Sequence, residues 1–376
     1  RADNPVVTVE WNNEKQVMDG IGGSCAFNKA VPLLKFSQTM PEVAEELLDM
    51  IFDEEKGIGL DIVRVIIGDG GIIEPATGAE WGNRWYDGPS DTIWPHEDSG
   101  FVWDMDNWEE IKPNFDRAQI YYMKEAQKRG VKTFYATAWS PPYWMKKSMS
   151  VMGQNAHGQP PELKDDVDEN GRKKYYQAYA DYLVEYVIGY KREFDIEITH
   201  ICPVNESEAQ HGYSGIVLRG DAFKEFIESY LGPAIKRAEE QGRFAEVGMS
   251  APKLVAPETT NLSALSYYVS TMNNINPDTG RHDYIDVFST HLYGSANVFN
   301  NGPATAGTGQ YPAYVRYYDR IWQTEYMTQS GRSDAAQPTQ IYSNQTIDDG
   351  LYWTRFISNT LTSDPGFNAY LWWWPV

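Results

Sequence analysis

His200-Ile201-Cys202-Pro203-Val204-Asn205-Glu206-Ser207-Glu208 closes an apolar run that begins at Ile196. A short apolar run that stops at polar residues is typical of a buried barrel strand, at the point where the strand opens into a catalytic loop. The side chain of Glu206 would then lie at the carboxyl end of that strand. Glu206 is therefore the first candidate for a catalytic residue.

A second strand-like segment, Arg320 to Tyr326, also carries a carboxylate near its end, at Glu325. Two carboxylates at the same ends of different barrel strands can divide the work of glycoside hydrolysis. One protonates the leaving oxygen, and the other attacks the sugar or activates water. A single glutamate at a strand end is more often a solvated or capping residue. The pair, taken with the neighbours described below, favours catalysis.

Strand-like and helix-like segments alternate along the whole chain. Strands are predicted at 18–27, 62–67, 132–137, 196–204, 253–258, 285–294, 320–326 and 367–374, and helices at 41–55, 114–129, 173–194, 221–241, 261–272 and 347–361. Regular alternation of this kind predicts an α/β fold with one parallel (β/α)8 barrel, a TIM barrel. We expect the barrel to occupy residues 18–376 and to end at strand 8, because no helix follows that strand in the sequence.

The composition limits the partners of the protein. The chain of 376 residues has a formal net charge of −21, which repels nucleic acid and anionic membranes, and no apolar run is long enough to span a bilayer. Two cysteines and six histidines show no spacing typical of a disulfide framework or a catalytic zinc site. We expect a monomer without metal or cofactor, acting on a polysaccharide or oligosaccharide. A chain that begins with Arg1 is compatible with processing, and we expect a secreted protein.

Aromatic residues are concentrated in irregular segments beside the predicted strands. Segment 68–106 follows strand 2, and its length and tryptophan content favour a functional loop over one end of a substrate cleft. After strand 3, Pro141 and Pro142 would hold neighbouring rings rigidly enough to stack on a sugar. The predicted stacking residues in these two segments are Trp81, Trp85, Trp94, Trp139, Tyr143 and Trp144.

Two strand residues are expected to support the carboxylates. Arg64 lies inside the apolar strand 62–67, where an unpaired guanidinium costs several kcal/mol, so it needs a buried carboxylate, and Glu325 is the natural partner. Alternation places His291 and Tyr293 on one face of strand 6. A lone histidine in a strand is usually a core residue. Its position at the carboxyl end of the strand makes orientation of Glu325 at least as good an interpretation.

Together these motifs resemble those of the clan A retaining glycoside hydrolases, most closely family 30. The resemblance rests on the Asn205-Glu206 and Glu325 strand ends, His291-x-Tyr293, Arg64, Trp139-Ser140-Pro141-Pro142-Tyr143-Trp144-Met145 and Asp19-Gly20-Ile21-Gly22-Gly23-Ser24. It implies that Glu206 is the general acid/base and Glu325 the nucleophile. The residues that it implies for orienting the nucleophile or binding the sugar are Arg64, Asn205, His291 and Tyr293.

A retaining mechanism needs the two carboxyl groups about 5 to 5.5 Å apart, and it needs a raised pKa for Glu206 and a low one for Glu325. Arg64 beside Glu325 would separate the two pKa values in this order.

Members of the family usually carry a side β-domain, built from an N-terminal strand and the segment after strand 8. Residues 1–17 supply a candidate N-terminal strand, and the second part is missing from the sequence. Trp372-Trp373-Trp374 and the Pro-Pro-Tyr-Trp element look more similar to the xylan-active branch, which favours β-1,4-xylan and places Trp372 and Trp373 in the binding site. The loop at 68–106 favours cleavage from a chain end, with release of short xylo-oligosaccharides such as xylobiose.

Other functions stay open at this stage. An endo-acting xylanase, a β-1,6-glucanase or a β-1,6-galactanase would use the same carboxylates. A non-catalytic glycan-binding protein on a hydrolase fold belongs to a different class, and the retained carboxylates, Arg64 and His291 argue against it. The loops show no arginine cluster, so we expect no dependence on glucuronic acid side chains.

Overall fold

Eight parallel strands close into a barrel in the order in which they follow one another along the chain. The computed structural model describes residues 8, 10–27, 29–71, 92–103, 115–327 and 347–373. The strands, β1 to β8, are Gly20–Ser24, Ile62–Ile67, Thr133–Ala138, His200–Cys202, Lys253–Thr259, Val287–His291, Ile321–Tyr326 and Ala369–Trp372. The predicted (β/α)8 fold is confirmed.

Helices surround the barrel. Those within the described residues, α1 to α9, are Val31–Thr39, Pro41–Phe52, Phe115–Lys128, Lys174–Phe194, Gly220–Glu225, Gly232–Glu240, Arg243–Glu246, Val269–Met272 and Ile347–Leu361. None of these helices is long and apolar enough to cross a bilayer.

Several helical segments differ from the prediction, among them the helix predicted at 261–272, which is a 3-10 helix over Leu262–Tyr268 and an α-helix only at α8. Helix α1 was not predicted, because Leu33 is its only buried side chain and the sequence therefore shows little apolar periodicity there. The helix predicted at 221–241 is interrupted by a π-helical turn, Phe226–Leu231, which precedes Pro233, a residue that cannot donate the amide hydrogen bond of a continuous helix. Between β6 and β7 the chain forms two short 3-10 turns, Ala296–Val298 and Ala313–Tyr317.

The barrel interior is layered along its axis. Towards the amino ends of the strands, the ring of Trp322 lies 4.6 Å from that of His200 and 5.9 Å from that of Tyr135, measured between centroids. These rings fill the lower part of the barrel. The carboxyl ends of the same set of strands carry charged residues instead, in the position where barrel enzymes build their active sites.

The segment before β1 is tied to the start of β8. The backbone N–H of Asp19 donates to the carbonyl of Asn368 at 2.7 Å, and the side-chain amide of Asn368 donates to the carbonyl of Val17 at 2.8 Å. Part of the strand expected within residues 1–17 lies outside the described residues. Its membership of a side β-domain stays a prediction.

Glycine in β1 allows this strand to lie close to β2, and this contact can be tested. A Cβ atom added at Gly22 would lie 2.3 Å from the backbone oxygen of Ile62. Gly22→Ala should therefore lower the free energy of unfolding by about 1–3 kcal/mol, since the strands must separate to admit the methyl group. Gly350→Ala in α9 is the control, because the added Cβ meets no atom within 4 Å and alanine favours a helix. Equal denaturant midpoints for Gly22→Ala and wild type would contradict the close packing.

Candidate active site

Five strands deliver charged or polar side chains to one point at the carboxyl end of the barrel. The residues are Arg64 on β2, Asn205 and Glu206 after β4, Glu258 on β5, His291 on β6 and Glu325 on β7. Each is no more than 6% exposed. Parallel strands end at the same rim of a barrel, which is why residues so distant in sequence meet here.

Arg64 is the centre of this cluster. Its guanidinium donates to Oε2 of Glu325 at 2.5 Å, to Oδ1 of Asn205 at 2.7 Å and to Oγ1 of Thr137 at 3.2 Å. It also forms an ion pair with Oε1 of Glu258 at 2.9 Å. Glu325 is the partner that the sequence predicted, and Glu258 is a second, unpredicted carboxylate partner.

His291 is the second basic residue of the cluster, and its ring lies close to three carboxylates. Its Nδ1 lies 2.9 Å from Oε1 of Glu206, and its Nε2 lies 3.3 Å from Oε1 of Glu258 and 3.7 Å from Oε2 of Glu325. We expected His291 to orient Glu325, but its hydrogen bonds reach the other two glutamates. Strand alternation fixes the face on which a ring lies and does not fix which lateral neighbour the ring reaches.

Glu206 is held by its own loop as well as by His291. The phenol of Tyr213 donates to Oε2 of Glu206, and Nε2 of His211 donates to its carbonyl oxygen at 2.8 Å. The rings of His211 and Tyr213 stack with centroids 4.7 Å apart. Neither residue was predicted for the site, and the only sequence signal was their position in the loop that follows Glu206.

Charges determine the protonation of two members of the cluster. Burial alone would lower the pKa of His291, but the carboxylates of Glu325, Glu206 and Glu258 raise it to about 10. Burial alone would raise the pKa of Glu258, but Arg64 and His291 lower it to about 2. His291 is therefore a cation and Glu258 an anion at neutral pH.

The pair formed by Glu206 and Glu325 lies between the two cations, Arg64 and His291. One carboxylate oxygen of each lies within 4.8 Å of the other. Two cations face three carboxylates, so the buried cluster is neutral when one proton is shared by this pair. Burial raises the pKa of Glu325 in spite of His291 and Arg64, whereas the pKa of Glu206 is lowered in spite of burial, by its hydrogen bond with His291. This order is opposite to the expected one, because His291 donates to Glu206.

Glu206, His291 and Glu325 could also be considered as metal ligands, since one donor atom of each lies within 4.8 Å of the others. A histidine must be neutral to bind a metal. His291 is held protonated, and the guanidinium of Arg64 already occupies an oxygen of Glu325. The charges at this point suit a bound proton better than a divalent cation.

A cavity of about 520 Å³ opens above the pair. The residues that line it are Phe27, Trp139, Asn205, Glu206, His211, Tyr213, Thr260, Tyr293, Glu325 and Trp373. Aromatic rings form much of its wall, and Trp139 also packs on the guanidinium of Arg64, 4.6 Å from ring centroid to Cζ. Within the described part of the chain no lysine or arginine lines the cavity, and the aromatic wall suits an uncharged sugar.

The predicted binding residues fall into two groups. Trp139, Asn205, Tyr293 and Trp373 line the cavity. Trp372 does not, because neighbouring residues of a strand face opposite sides, and its ring packs 4.3 Å from that of Trp353.

The remaining predicted aromatic residues lie away from the cavity wall or outside the described residues. Trp144 is only 4% exposed, its ring lies 4.9 Å from that of Trp94, and its Nε1 donates to the carbonyl of Trp94 at 3.0 Å. A ring packed in this way cannot offer a face to a sugar. Tyr143 lies with its hydroxyl 3.3 Å from Nδ1 of His96. Trp81 and Trp85 lie outside the described residues.

The family model of O-glycosyl hydrolase family 30 matches residues 5–238, more than half of the chain. The protein belongs to glycoside hydrolase family 30. Membership makes it a glycosidase, and the resemblance noted in the sequence is confirmed at the level of the family.

Solved structures share the fold of this glycosidase. They include the catalytic domain of the family 30 xylanase C from Talaromyces cellulolyticus, at 24% identity and a TM-score of 0.61, covering 96% of this chain and 68% of that one. An endo-β-1,6-glucanase matches at 18% sequence identity with a TM-score of 0.63, and the match covers 98% of this chain and 68% of the glucanase. A conserved exported protein from Bacteroides fragilis matches at 20% sequence identity with a TM-score of 0.65, and the match covers 96% of this chain and 70% of that protein. The chain thus spans about two thirds of each of these proteins.

The buried ion pairs of Arg64 predict a specific dependence of stability on pH. Arg64→Met would leave Glu258 and Glu325 without their shared cation and should destabilise the protein by about 3–5 kcal/mol at pH 7. The loss should be smaller at pH 4, where the unpaired carboxyl groups of the variant can take up protons. In the wild type, the folded pKa of Glu258, about 2, lies below the usual 4.5, so its contribution is full above about pH 5, is largely retained at pH 4 and is lost progressively as the pH falls from 4.5 to 2.

Urea unfolding at both pH values measures this effect. Arg192→Met is the matched control, because Arg192 is 41% exposed and pairs with Glu185 and Glu193 near the surface. It should cost less than about 1 kcal/mol at either pH. An Arg64→Met loss as small as that of the control would refute the central role of the buried guanidinium.

Proposed function

We propose that this glycosidase is a retaining enzyme that cleaves β-1,4-xylan from a chain end, releasing short xylo-oligosaccharides such as xylobiose. The distance between Glu206 and Glu325 supports the retaining mechanism, with an oxygen of each within 4.8 Å of the other. Carboxyl groups about 5 to 5.5 Å apart leave room for direct attack on the sugar, whereas inverting enzymes hold them about 6.5–9.5 Å apart to admit water.

In the first step, Glu325 acts as the nucleophile and Glu206 as the acid. An oxygen of Glu325 forms a bond to the anomeric carbon, the bond from that carbon to the leaving oxygen breaks, and the proton of Glu206 passes to the leaving oxygen. Arg64, 2.5 Å from Glu325, stabilises the ionised form that attacks. In the second step, Glu206 takes a proton from water, the water oxygen bonds to the anomeric carbon, and Glu325 is released.

The shared proton has to lie on Glu206 when attack begins. In the free protein the pKa order of the pair favours Glu325 as the protonated partner. A substrate seated in the cavity brings its glycosidic oxygen to Glu206, which then has an acceptor for its proton. Substrate binding must therefore raise the pKa of Glu206 relative to that of Glu325, so that Glu206 carries the proton when attack begins.

Three observations support xylan. The cavity wall is aromatic, and the described residues that line it include no lysine or arginine, which favours a neutral backbone. One structure with the same fold is named as a xylanase. Trp373 lines the cavity, within the tryptophan run that resembles the xylan-active branch. Cleavage from a chain end is proposed from the sequence, because residues 72–91 and 104–106 of the loop lie outside the described part of the chain. Secretion is likewise proposed from the sequence.

A β-1,6-glucanase is the second candidate. The structural match to an endo-β-1,6-glucanase has a TM-score of 0.63, slightly above that of the xylanase. The same two carboxylates would serve either linkage, so only the shape of the cavity distinguishes them.

Variants of the two glutamates separate their roles. Glu325→Gln should lower kcat about 10,000-fold or more on every substrate, since no covalent intermediate can form. Glu206→Gln should lower kcat about 100- to 10,000-fold on xylan. It should slow the first step much less on an aryl β-xyloside whose phenolate leaves without a proton. Initial rates on both substrates test this. Substantial turnover by Glu325→Gln, or equal losses by Glu206→Gln on both substrates, would contradict the assignment.

The substrate and the mode of cleavage are tested together by product analysis. The wild type is incubated with unbranched xylan, glucuronic-acid-decorated xylan, β-1,6-glucan and β-1,6-galactan, and products are followed by chromatography over time. Early accumulation of one short xylo-oligosaccharide, with the β-anomer formed first in NMR spectra, is expected. A ladder of sizes would refute end action, and activity on a β-1,6-glycan alone would refute xylan as substrate. Binding without turnover would identify a non-catalytic glycan-binding protein.

A further inference from the structure

Glu258 belongs to the charged cluster but does not line the cavity. Its side chain is fully buried at the carboxyl end of β5. It can therefore influence a substrate only through other residues. The chemistry proposed above assigns it no step.

The contacts of Glu258 join the two halves of the cluster. Its Oε1 lies 2.9 Å from the guanidinium of Arg64 and 3.3 Å from Nε2 of His291. Its Oε2 accepts a hydrogen bond from Oγ1 of Thr324 at 2.9 Å. Arg64 in turn holds one oxygen of Glu325, and His291 holds one oxygen of Glu206. One carboxylate thus touches both cations, and each cation touches a different member of the pair.

The backbone of Glu258 reinforces this arrangement. Its N–H donates to Oγ of Ser289 at 3.0 Å, and its carbonyl accepts the N–H of Glu206 at 2.9 Å. Glu206 is therefore tied to Glu258 through the main chain as well as through His291.

We propose that Glu258 is a positioning residue that joins Arg64 to His291 and thereby determines how tightly His291 and the pair of Glu206 and Glu325 hold their protons. Its effect on turnover rests on the proposed retaining mechanism, while its effect on His291 does not.

The charge of Glu258 is what distinguishes this role from simple packing. The titratable groups facing it from the neighbouring strands are Arg64 on β2, Tyr135 on β3, Cys202 on β4, His291 on β6 and Glu325 on β7. Burial raises the pKa of Tyr135 and of Cys202, so both are neutral. Without the charge of Glu258, two cations would face a pair that carries a single negative charge. His291 would then hold its proton less tightly, and so would the pair.

Kinetics of Glu258 variants test this effect. Glu258→Gln keeps the shape of the side chain and its acceptor oxygen but removes the charge. It should lower kcat about 10- to 100-fold and move the alkaline limb of kcat/KM down by about one pH unit or more. Glu258→Asp keeps the charge and should keep the limb near that of the wild type.

The matched control is Glu208→Gln. Glu208 is another buried glutamate near Glu206, and its carboxylate accepts from the N–H of Thr260 at 2.7 Å. The alkaline limb of this variant should match that of the wild type. A Glu258→Gln enzyme with reduced kcat and an unmoved limb would show a purely structural role and overturn the proposal.

NMR of the His291 ring gives a test that needs no activity. The resonance is assigned by its absence from His291→Phe. In the wild type, His291 should still be protonated at pH 8, and in Glu258→Gln it should lose its proton at least about one pH unit lower than in the wild type. Titration of wild-type His291 near its usual pKa of about 6.5 would overturn the proposal even if Glu258→Gln did not fold. Failure of every glycosidase assay would leave this result intact and refute only the proposed function.

Discussion

Arg64 carries a permanent positive charge in the middle of an apolar strand, where water cannot solvate it. A guanidinium in that position is stable only with carboxylates around it, and the barrel supplies two, Glu258 and Glu325. Those carboxylates attract a further cation, His291, whose raised pKa follows from their charge. The protonation of Glu206 then depends on His291. A single buried charge on β2 thus determines the electrostatics of the whole rim.

The parallel barrel makes this dependence possible. The cluster takes residues from β2, β5, β6 and β7 and from the loop after β4, and each strand contributes one or two side chains. Every strand ends at the same rim, so residues more than 250 positions apart, such as Arg64 and Glu325, meet within hydrogen-bonding distance. Aromatic rings below the cluster, including that of Trp322, exclude water from its lower side.

Sequence reasoning succeeded where one physical constraint left a single solution. The bounds of β2 and α9 were predicted as they are observed, because a purely apolar run and a regular apolar stripe are hard to mistake. The partnership of Arg64 with Glu325 followed from the cost of a buried charge. Both strand-end glutamates, Glu206 and Glu325, do meet at the rim, since parallel strands share a direction.

Reasoning from the sequence failed where lateral neighbours matter. Glu258 looked like any other strand-end glutamate, and only its contacts with Arg64 and His291 reveal its place in the cluster. Trp144 was expected at the cavity because prolines precede it, but rigidity does not determine which way a ring faces. The pKa values of Glu206 and Glu325 also lie in the opposite order to the predicted one. This order depends on which glutamate His291 touches, and the sequence does not reveal that contact.

The backbone shows how strongly the surroundings hold the two glutamates that His291 binds. Glu206 and Glu258 have φ angles of +49° and +59°, in the left-handed region that costs a residue with a side chain about 1–2 kcal/mol. Such conformations persist only where neighbouring contacts fix them. Here the fixing contacts are the ion pairs and hydrogen bonds of the cluster itself. The charges that set the protonation of the cluster also hold the backbone of Glu206 and Glu258 in place, so a change in either is expected to disturb the other.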